Sequence, residues 1–225
     1  NGEQVANSVS ANSVGIGYHS PGSSHAAAYW NIVNNTAGFH AIPDGGAGAF
    51  SEGLGISTDG NVMCGLVGTS TTSCQGFIWT IGDAAMTTLP ALSGDTLSVA
   101  IAVNAGKIAI GYSSDGTNER AVVWDTAGQP KLVTGILSAA GVDTSAWTQL
   151  SRATSISNDG KIIAGSGIWA ADGSTRGFIA DISVAPGVPP VITAAKSVKT
   201  HGTAGSFSID VFAAGAVEDR QGGPT

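Results

Sequence analysis

Charged side chains are scarce in this chain of 225 residues, and positive charge is the scarcest of all. Only 11% of the residues are charged, and 9 Lys and Arg stand against 16 Asp and Glu, which gives a net charge of −7. Nucleic acids and anionic membrane surfaces bind clustered Lys and Arg. No apolar run approaches the roughly 18 residues of a membrane-spanning helix. We therefore predict no nucleic acid partner and no membrane insertion.

The short motifs that mark common catalytic and metal sites are also lacking. The sequence contains no GxSxG nucleophile motif, no P-loop, no HExxH zinc motif and no CxxCH haem motif. His19 and His25 flank one loop, but two histidines without a third ligand do not make a zinc site. We predict a chain without catalysis, cofactor or metal.

Cysteine is nearly absent, with only Cys64 and Cys74 in the chain. If these residues lie in a hairpin centred on Thr69, they face each other across its two strands. The Cβ atoms of cross-strand neighbours are about 4.5–5.5 Å apart, which is close to the separation in a disulfide. We therefore predict a disulfide, and two buried reduced thiols are the alternative.

Glycine, in contrast, is abundant, and the chain repeats itself. It has 33 Gly and a hydrophobic fraction of 42%, a composition typical of β proteins with many tight turns. The phrase ISTDGNVMCGL recurs one hundred residues later as ISNDGKIIAGS. Both belong to a set of four copies. The copies are residues 9–30, 56–79, 103–124 and 156–180.

Each copy has the same internal order. A turn is followed by an apolar strand ending in glycine, then by a polar loop, and then by a second apolar strand that closes on tryptophan. The glycines are Gly17, Gly65, Gly111 and Gly165, spaced by 48, 46 and 54 residues, and the closing residues are Trp30, Trp79, Trp124 and, in the fourth copy, Ala180. We predict that these residues pack neighbouring repeats, with glycine allowing close backbone approach.

A further short apolar segment follows each copy, so a period of about fifty residues contains four strands. These segments are residues 39–42, 86–92, 130–137 and 189–194. A four-stranded antiparallel unit cannot bury both its faces alone, whereas stacking such units around an axis covers them. We therefore predict an all-β, propeller-like array of four four-stranded repeats. A β-sandwich and a β-solenoid are the alternatives.

The repeats resemble a known family. ISNDGKIIAGS followed by RGFIAD is similar to the secreted bacterial repeats of the HAF type, and the resemblance covers about residues 5–185. It implies a propeller-like extracellular or cell-surface protein, whose signal peptide we expect to have been removed before Asn1. The resemblance supplies no catalytic motif.

The repeats are predicted to form one domain, residues 1–187, followed by a tail, residues 188–225. Pro186, Pro189 and Pro190 mark the boundary as a stiff linker. The tail resembles a segment that opens a further β domain in some secreted bacterial proteins. Its alternating stretch SFSIDVF, residues 206–212, can close the array, lie on its surface or pair with a neighbouring subunit.

One insertion departs from the repeat pattern. Residues 134–153 lengthen the third period and contain Trp147, which has no counterpart in the other copies. Within them, residues 138–150 can hold one helical turn. Insertions of this kind often form the binding face of a repeat protein. Trp147 is therefore a candidate ligand contact, with packing on the rim as the alternative.

These observations favour a secreted, non-catalytic structural or adhesive repeat protein. We expect it to associate with copies of itself through the C-terminal strand, as an oligomer or filament. A carbohydrate-binding propeller that contacts a glycan through Trp147 is the alternative. An enzyme domain acting on polysaccharide is less favoured, because the breaks in the repeat carry Trp and Ala rather than acids.

Overall fold

The computed structural model describes residues 2–20, 22, 24–33, 36–47, 49–182 and 192–194, and it is all-β in these residues apart from one short helix. The sixteen strands form four sheets of four. The first sheet holds β1 (Gln4–Val9), β2 (Val14–His19), β3 (Ala26–Val33) and β4 (Thr36–Ala41). The second holds β5 (Phe50–Ile56), β6 (Val62–Ser70), β7 (Ser73–Thr80) and β8 (Thr87–Leu89).

The third and fourth sheets repeat this plan. The third holds β9 (Leu97–Val103), β10 (Ala109–Ser114), β11 (Glu119–Trp124) and β12 (Pro130–Leu132), and the helix α1 (Val133–Ala139) follows it. The fourth holds β13 (Trp147–Ile156), β14 (Ile162–Trp169), β15 (Thr175–Asp181) and β16 (Ile192–Ala194). Within each sheet, every strand pairs antiparallel with the next strand in sequence. The predicted propeller-like array of four-stranded repeats is confirmed.

The sheets pack face to face in chain order. The first contacts the second, the second contacts the third, and the third contacts the fourth. Strands β5, β9 and β13, each the first of its sheet, make most of these contacts. Among the described residues, no strand of the fourth sheet packs extensively against the first sheet. The array is therefore an open series of sheets.

The repeated glycines act within each sheet. In the first sheet, a Cβ at Gly17 would lie 1.8 Å from the carbonyl oxygen of Val5, on the neighbouring strand β1. Opposite this position β1 carries a bulge, between Ala6 and Ser8. Gly65, Gly111 and Gly165 face the same bulge in their own sheets, with a Cβ 1.9–2.0 Å from the facing carbonyl. The predicted close approach is present, but it joins two strands of one repeat rather than two repeats.

Tryptophan joins one sheet to the sheet before it. Trp79 is buried in a cluster that combines Met63 and Phe77 of its own sheet with Val14 and Ile16 of the first sheet. We call the face of a sheet that carries the tryptophan position its leading face, and the opposite face its trailing face. The leading face of the second sheet thus covers the trailing face of the first.

Trp124 repeats this arrangement one sheet later. It is fully buried among Val62 and Cys64 of the second sheet and Val103 of its own. Its indole Nε1 also donates a hydrogen bond of 2.8 Å to the carbonyl oxygen of Pro90, which follows β8. The interface is therefore apolar at its centre and fixed by a polar contact at its edge.

The fourth sheet buries Ala180 at the tryptophan position. The cluster between the third and fourth sheets contains instead Val133 and Leu137 of α1 together with Trp147, and the last two of these lie in the insertion. The helix lies earlier than the predicted turn at 138–150, and it replaces the second half of the strand expected over residues 130–137.

Trp30 is the exception in the series. It is only half-buried, and its contacts lie within its own sheet, where its indole Nε1 donates a hydrogen bond to Gln4 and its ring meets the edge of Phe39. No sheet precedes the first one in the described chain. The predicted inter-repeat role therefore applies to Trp79 and Trp124 and is not seen at Trp30.

The fourth sheet reaches past residue 187. Strand β16 pairs with β15 through Ala180 and Ile192, inside the segment predicted as a tail. Residues 183–191 and 195–225 lie outside the described residues, and with them lie the proline boundary and the stretch at 206–212.

The packing of the tryptophans predicts unequal costs of truncation. We expect Trp124→Ala to lower the free energy of unfolding by about 3–5 kcal/mol, because it opens a cavity between two sheets. The matched variant Trp30→Ala should cost clearly less, because that ring is half-exposed. Urea denaturation followed by circular dichroism measures both. Equal losses would contradict the proposed inter-sheet role of Trp124.

Candidate functional site

The four turns that follow the first strand of each sheet share one hydrogen-bond pattern. The first residue of each turn accepts a hydrogen bond of 2.9–3.1 Å from a backbone N–H at the start of the next strand or, in the third turn, one residue before it. These acceptors are Ser10, Ser57, Asn104 and Ser157. The recurring phrase in the sequence therefore encodes a recurring turn.

These turns also contact one another across the array. Asn12 of the first turn donates a hydrogen bond of 2.7 Å to the carbonyl oxygen of Asp59 in the second. Thr58 donates one of 2.5 Å to the side-chain oxygen of Asn158 in the fourth turn, one hundred residues away. Asn104 of the third turn reaches the carbonyl oxygen of Asn158 at 3.3 Å. The two near-identical phrases thus meet at one end of the array.

Glycine in two of these turns makes room for the neighbouring turn. Gly60 and Gly160 have φ of +74° and +73°, a conformation that favours glycine. A Cβ at Gly60 would lie 2.3 Å from the side-chain oxygen of Asn12, and one at Gly160 would lie 2.8 Å from the amide nitrogen of Asn104. The positive φ therefore favours glycine, and a Cβ there would displace the Asn side chain that joins the two turns.

A cavity of about 320 Å³ lies next to these turns, between the first strands of the four sheets. Its lining comes from β1, β5, β9 and β13 and from the turns themselves, and it consists of small polar and apolar side chains. The lining residues are Asn7, Ser8, Leu54, Gly55, Ile56, Thr58, Ile101, Ala102, Val103, Thr154, Ser155, Ile156 and Asn158. Such a lining offers hydrogen bonds, but it contains no acid, base or thiol.

The recurring aspartates serve their own turns. The hydroxyl of Ser57 and the backbone N–H of Asn61 lower the pKa of Asp59, and Ser157 with the N–H of Lys161 does the same for Asp159. The hydroxyl and backbone N–H of Ser174 lower the pKa of Asp172 to about 2. These carboxylates are ionised acceptors at neutral pH, which suits turn stabilisation and not proton donation.

The histidines of the first sheet do not converge. His25 lies between the rings of Tyr18 and Phe50, with centroids 3.9 and 5.0 Å away, and its Nδ1 contacts the carboxylate of Glu52 in the second sheet. His19 stands edge-on to Phe39 instead. Among the residues that the structure describes, no group of three or more His, Cys, Asp or Glu is placed to hold a metal.

Trp147 belongs to the core. Only 7% of the residue is exposed, and its ring meets Trp169 edge-on at a centroid distance of 5.1 Å and Phe178 at 6.1 Å. The indole is thus covered on the side of the sheet and is not free to stack on a ligand. The packing alternative accounts for the position.

The predicted disulfide is wrong. Cys64 and Cys74 are both free and buried. The hairpin is centred on Thr71 and Thr72 rather than Thr69, so Cys74 faces Gly68 and Cys64 faces Ile78. Four residues along β6 separate the two levels, roughly 13 Å at about 3.3 Å per residue. A disulfide requires Cα atoms within about 7 Å.

None of the ion pairs was predicted from the sequence, and two of them join residues far apart in the chain. The carboxylate of Asp95 is fully buried, pairs with Arg120 and accepts a hydrogen bond of 2.6 Å from Ser113. Arg152 of the fourth sheet pairs with Glu119 of the third, which raises the pKa of the guanidinium. The residues of the first pair are 25 positions apart and those of the second are 33 positions apart. No local sequence pattern therefore indicates either pair. Both hold the sheets in place, the first within the third sheet and the second between sheets.

No family model and no curated protein sequence matches this chain. One solved structure that resembles it is that of a protein described as a TolB of Agrobacterium tumefaciens, with 13% sequence identity and a TM-score of 0.49. The similarity covers 75% of this chain and 57% of that protein, so this chain spans little more than half the length of its structural neighbour.

A further finding concerns membrane-spanning helices. In the part of the chain that the structure describes, no helix has the length and apolar character needed to cross a bilayer.

The state of the cysteines yields a direct prediction. Burial raises the pKa of Cys74 to about 11 and also raises the pKa of Cys64, so both thiols stay protonated and shielded. We expect the native chain to resist alkylation by N-ethylmaleimide, and the chain in urea without reductant to gain two adducts by mass spectrometry. A urea-unfolded chain that gains none would show that the disulfide forms after all.

Proposed function

We propose that this chain is a non-catalytic structural or adhesive module that acts outside the cell and binds copies of itself. The observation that carries the proposal is the exposure of large apolar side chains on the two end sheets. Val9, Ile32 and Phe39 in the first sheet are 72%, 59% and 43% exposed, and Ile162 and Ile179 in the fourth are 39% and 41% exposed. Exposed apolar patches of this kind mark interaction surfaces.

The use of the ionisable side chains supports a non-catalytic role. Asp59, Asp115, Asp159 and Asp172 accept hydrogen bonds from their own turns. Glu52 and Glu119 pair with His25 and Arg152 across sheet interfaces. Catalytic acids and bases, in contrast, usually lie together in a concave pocket, with pKa values shifted towards the working pH.

An extracellular location is supported by the sequence. The repeats resemble secreted bacterial HAF-type repeats, as described above. Burial of both thiols also suits an oxidising compartment, because a buried protonated thiol is a poor nucleophile and resists oxidation. The C-terminal stretch at 206–212 remains a second candidate for the contact between copies.

Glycan binding is the second candidate function, and the surface that favours it is not the one predicted at Trp147. Trp147, its predicted contact, is buried, but Trp30 is half-exposed beside the exposed ring of Phe39. Paired aromatic rings at a surface offer a large, rigid contact area. The two functions therefore compete for one face of the first sheet.

A bead assay distinguishes these functions. Beads coated with the purified chain are mixed with each other, and separately with beads of cellulose, chitin or xylan. The proposal predicts clustering among chain-coated beads and none with polysaccharide, because the apolar end faces fit another protein sheet. Light microscopy measures the cluster size, and albumin-coated beads are the control.

Two other outcomes of the bead assay would overturn the proposal. Binding to polysaccharide without homotypic clustering would replace the proposal by the glycan-binding function. Release of reducing sugar from the polysaccharide beads would make the chain an enzyme.

A further inference from the structure

The three sheet interfaces inside the chain are built from one pair of faces. In each, the leading face of one sheet covers the trailing face of the sheet before it. At the two ends of the series, one face of each kind is left open among the described residues. The first sheet leaves its leading face open, and the fourth sheet leaves its trailing face open.

The open trailing face carries the same residue types as the covered ones. Two positions define it, the residue three before the repeated glycine and the residue just before the tryptophan position. The residues there are Val14 and Tyr29, Val62 and Ile78, Ile108 and Val123, and in the fourth sheet Ile162 and Ile179. The first three pairs are buried or half-buried against the next sheet, and only the fourth pair is exposed.

The open leading face also matches its covered counterparts. Val9, Gly15, Trp30 and Phe39 lie in one row across the four strands of the first sheet. The position of Val9 is held by Ile56, Val103 and Ile156 in the later sheets, where these residues pack against the preceding sheet. A β-branched apolar residue is thus present at this position in the first sheet, although 72% of it is exposed.

We propose that the leading face of the first sheet binds the trailing face of the fourth sheet of a second copy of this chain. The proposal rests on the proposed self-associating function and names its surfaces. The second copy is the occupant because this chain itself presents both halves of an interface that it already forms three times. A contact of this kind is head-to-tail, so it builds a closed ring or an extended filament according to the rotation between copies.

The test uses two variants of the full chain that each block one face. The head variant is Ile32→Asp with Phe39→Asp, and the tail variant is Ile162→Asp with Ile179→Asp. The control is Ile81→Asp, since Ile81 is 41% exposed but follows β7 in the second sheet, which has both faces covered. Circular dichroism and thermal melting establish that each variant is folded, and the single variants Ile32→Asp and Ile179→Asp replace any double variant that is not.

Sedimentation velocity over a wide concentration range gives the readout. We expect the wild type and the control to associate, and each blocked variant alone to remain a monomer. An equimolar mixture of head and tail variants should form a one-to-one heterodimer, because one intact face of each kind remains. If identical faces bound each other instead, mixing the head and tail variants would not produce this heterodimer.

Failure of the head-to-tail contact can be distinguished from failure of the proposed function. If the chain-coated beads cluster but the mixture of head and tail variants stays monomeric, the head-to-tail contact is overturned and the self-associating function stands. If both blocked variants associate as the wild type does, the contact lies elsewhere, for example in residues 195–225, and the inference is again overturned. If the wild type neither associates nor clusters, both the inference and the proposed function fail.

Discussion

The fold depends on one contact, which is the covering of each sheet's trailing face by the leading face of the next. A four-stranded antiparallel sheet with apolar residues on both faces cannot stand alone in water. Trp79 and Trp124 lie at the centres of two such contacts, each among side chains of the preceding sheet. Once this contact exists, adding a further repeat covers one face and opens an identical one. An open series therefore always ends in two complementary faces.

The polar residues are arranged around this apolar contact. Ser51 and Ser98, both buried, accept backbone N–H groups of the preceding sheet at 2.9 Å, so backbone donors at the interface edge are not left unpaired. The glycine opposite each bulge lets the first strand approach, and the turn residues interlock at one end of the array. Asp59 and Asp159 belong to these turns and accept hydrogen bonds from Ser57 and Ser157 within them.

The sequence predicted what is local and periodic. The spacing of Gly17, Gly65, Gly111 and Gly165 was enough to place four equivalent units and their strands. It was not enough to place Cys74, because the register of a hairpin is set by its turn, and a Thr-Thr turn carries no clear signal. Trp147 was misplaced as a candidate ligand contact for a related reason. A residue without a counterpart in the other repeats gives no periodic indication of which way it faces.

The helix and the ion pairs could not be predicted from the sequence for another reason. VTGILSA is as compatible with a strand as with a helix, and Val133 and Leu137 are buried only in the cluster between the third and fourth sheets. Asp95 lies just before β9 and Arg120 lies on β11, and the two meet only because these strands belong to one sheet. Tertiary packing determines both the helix and the ion pair, and the repeat pattern of a single sequence does not reveal tertiary packing.

Hydrogen exchange, followed by mass spectrometry at low and at high protein concentration, reports on the covered and the open faces of the sheets in one experiment. At low concentration we expect the strongest protection in the second and third sheets, whose faces are both covered. At high concentration it predicts added protection in β2 and β3 of the first sheet and in β14 and β15 of the fourth, with the middle sheets unchanged. Protection that does not depend on concentration, or that increases only in residues 195–225, would contradict the claim that one repeated interface both holds the chain together and joins its copies.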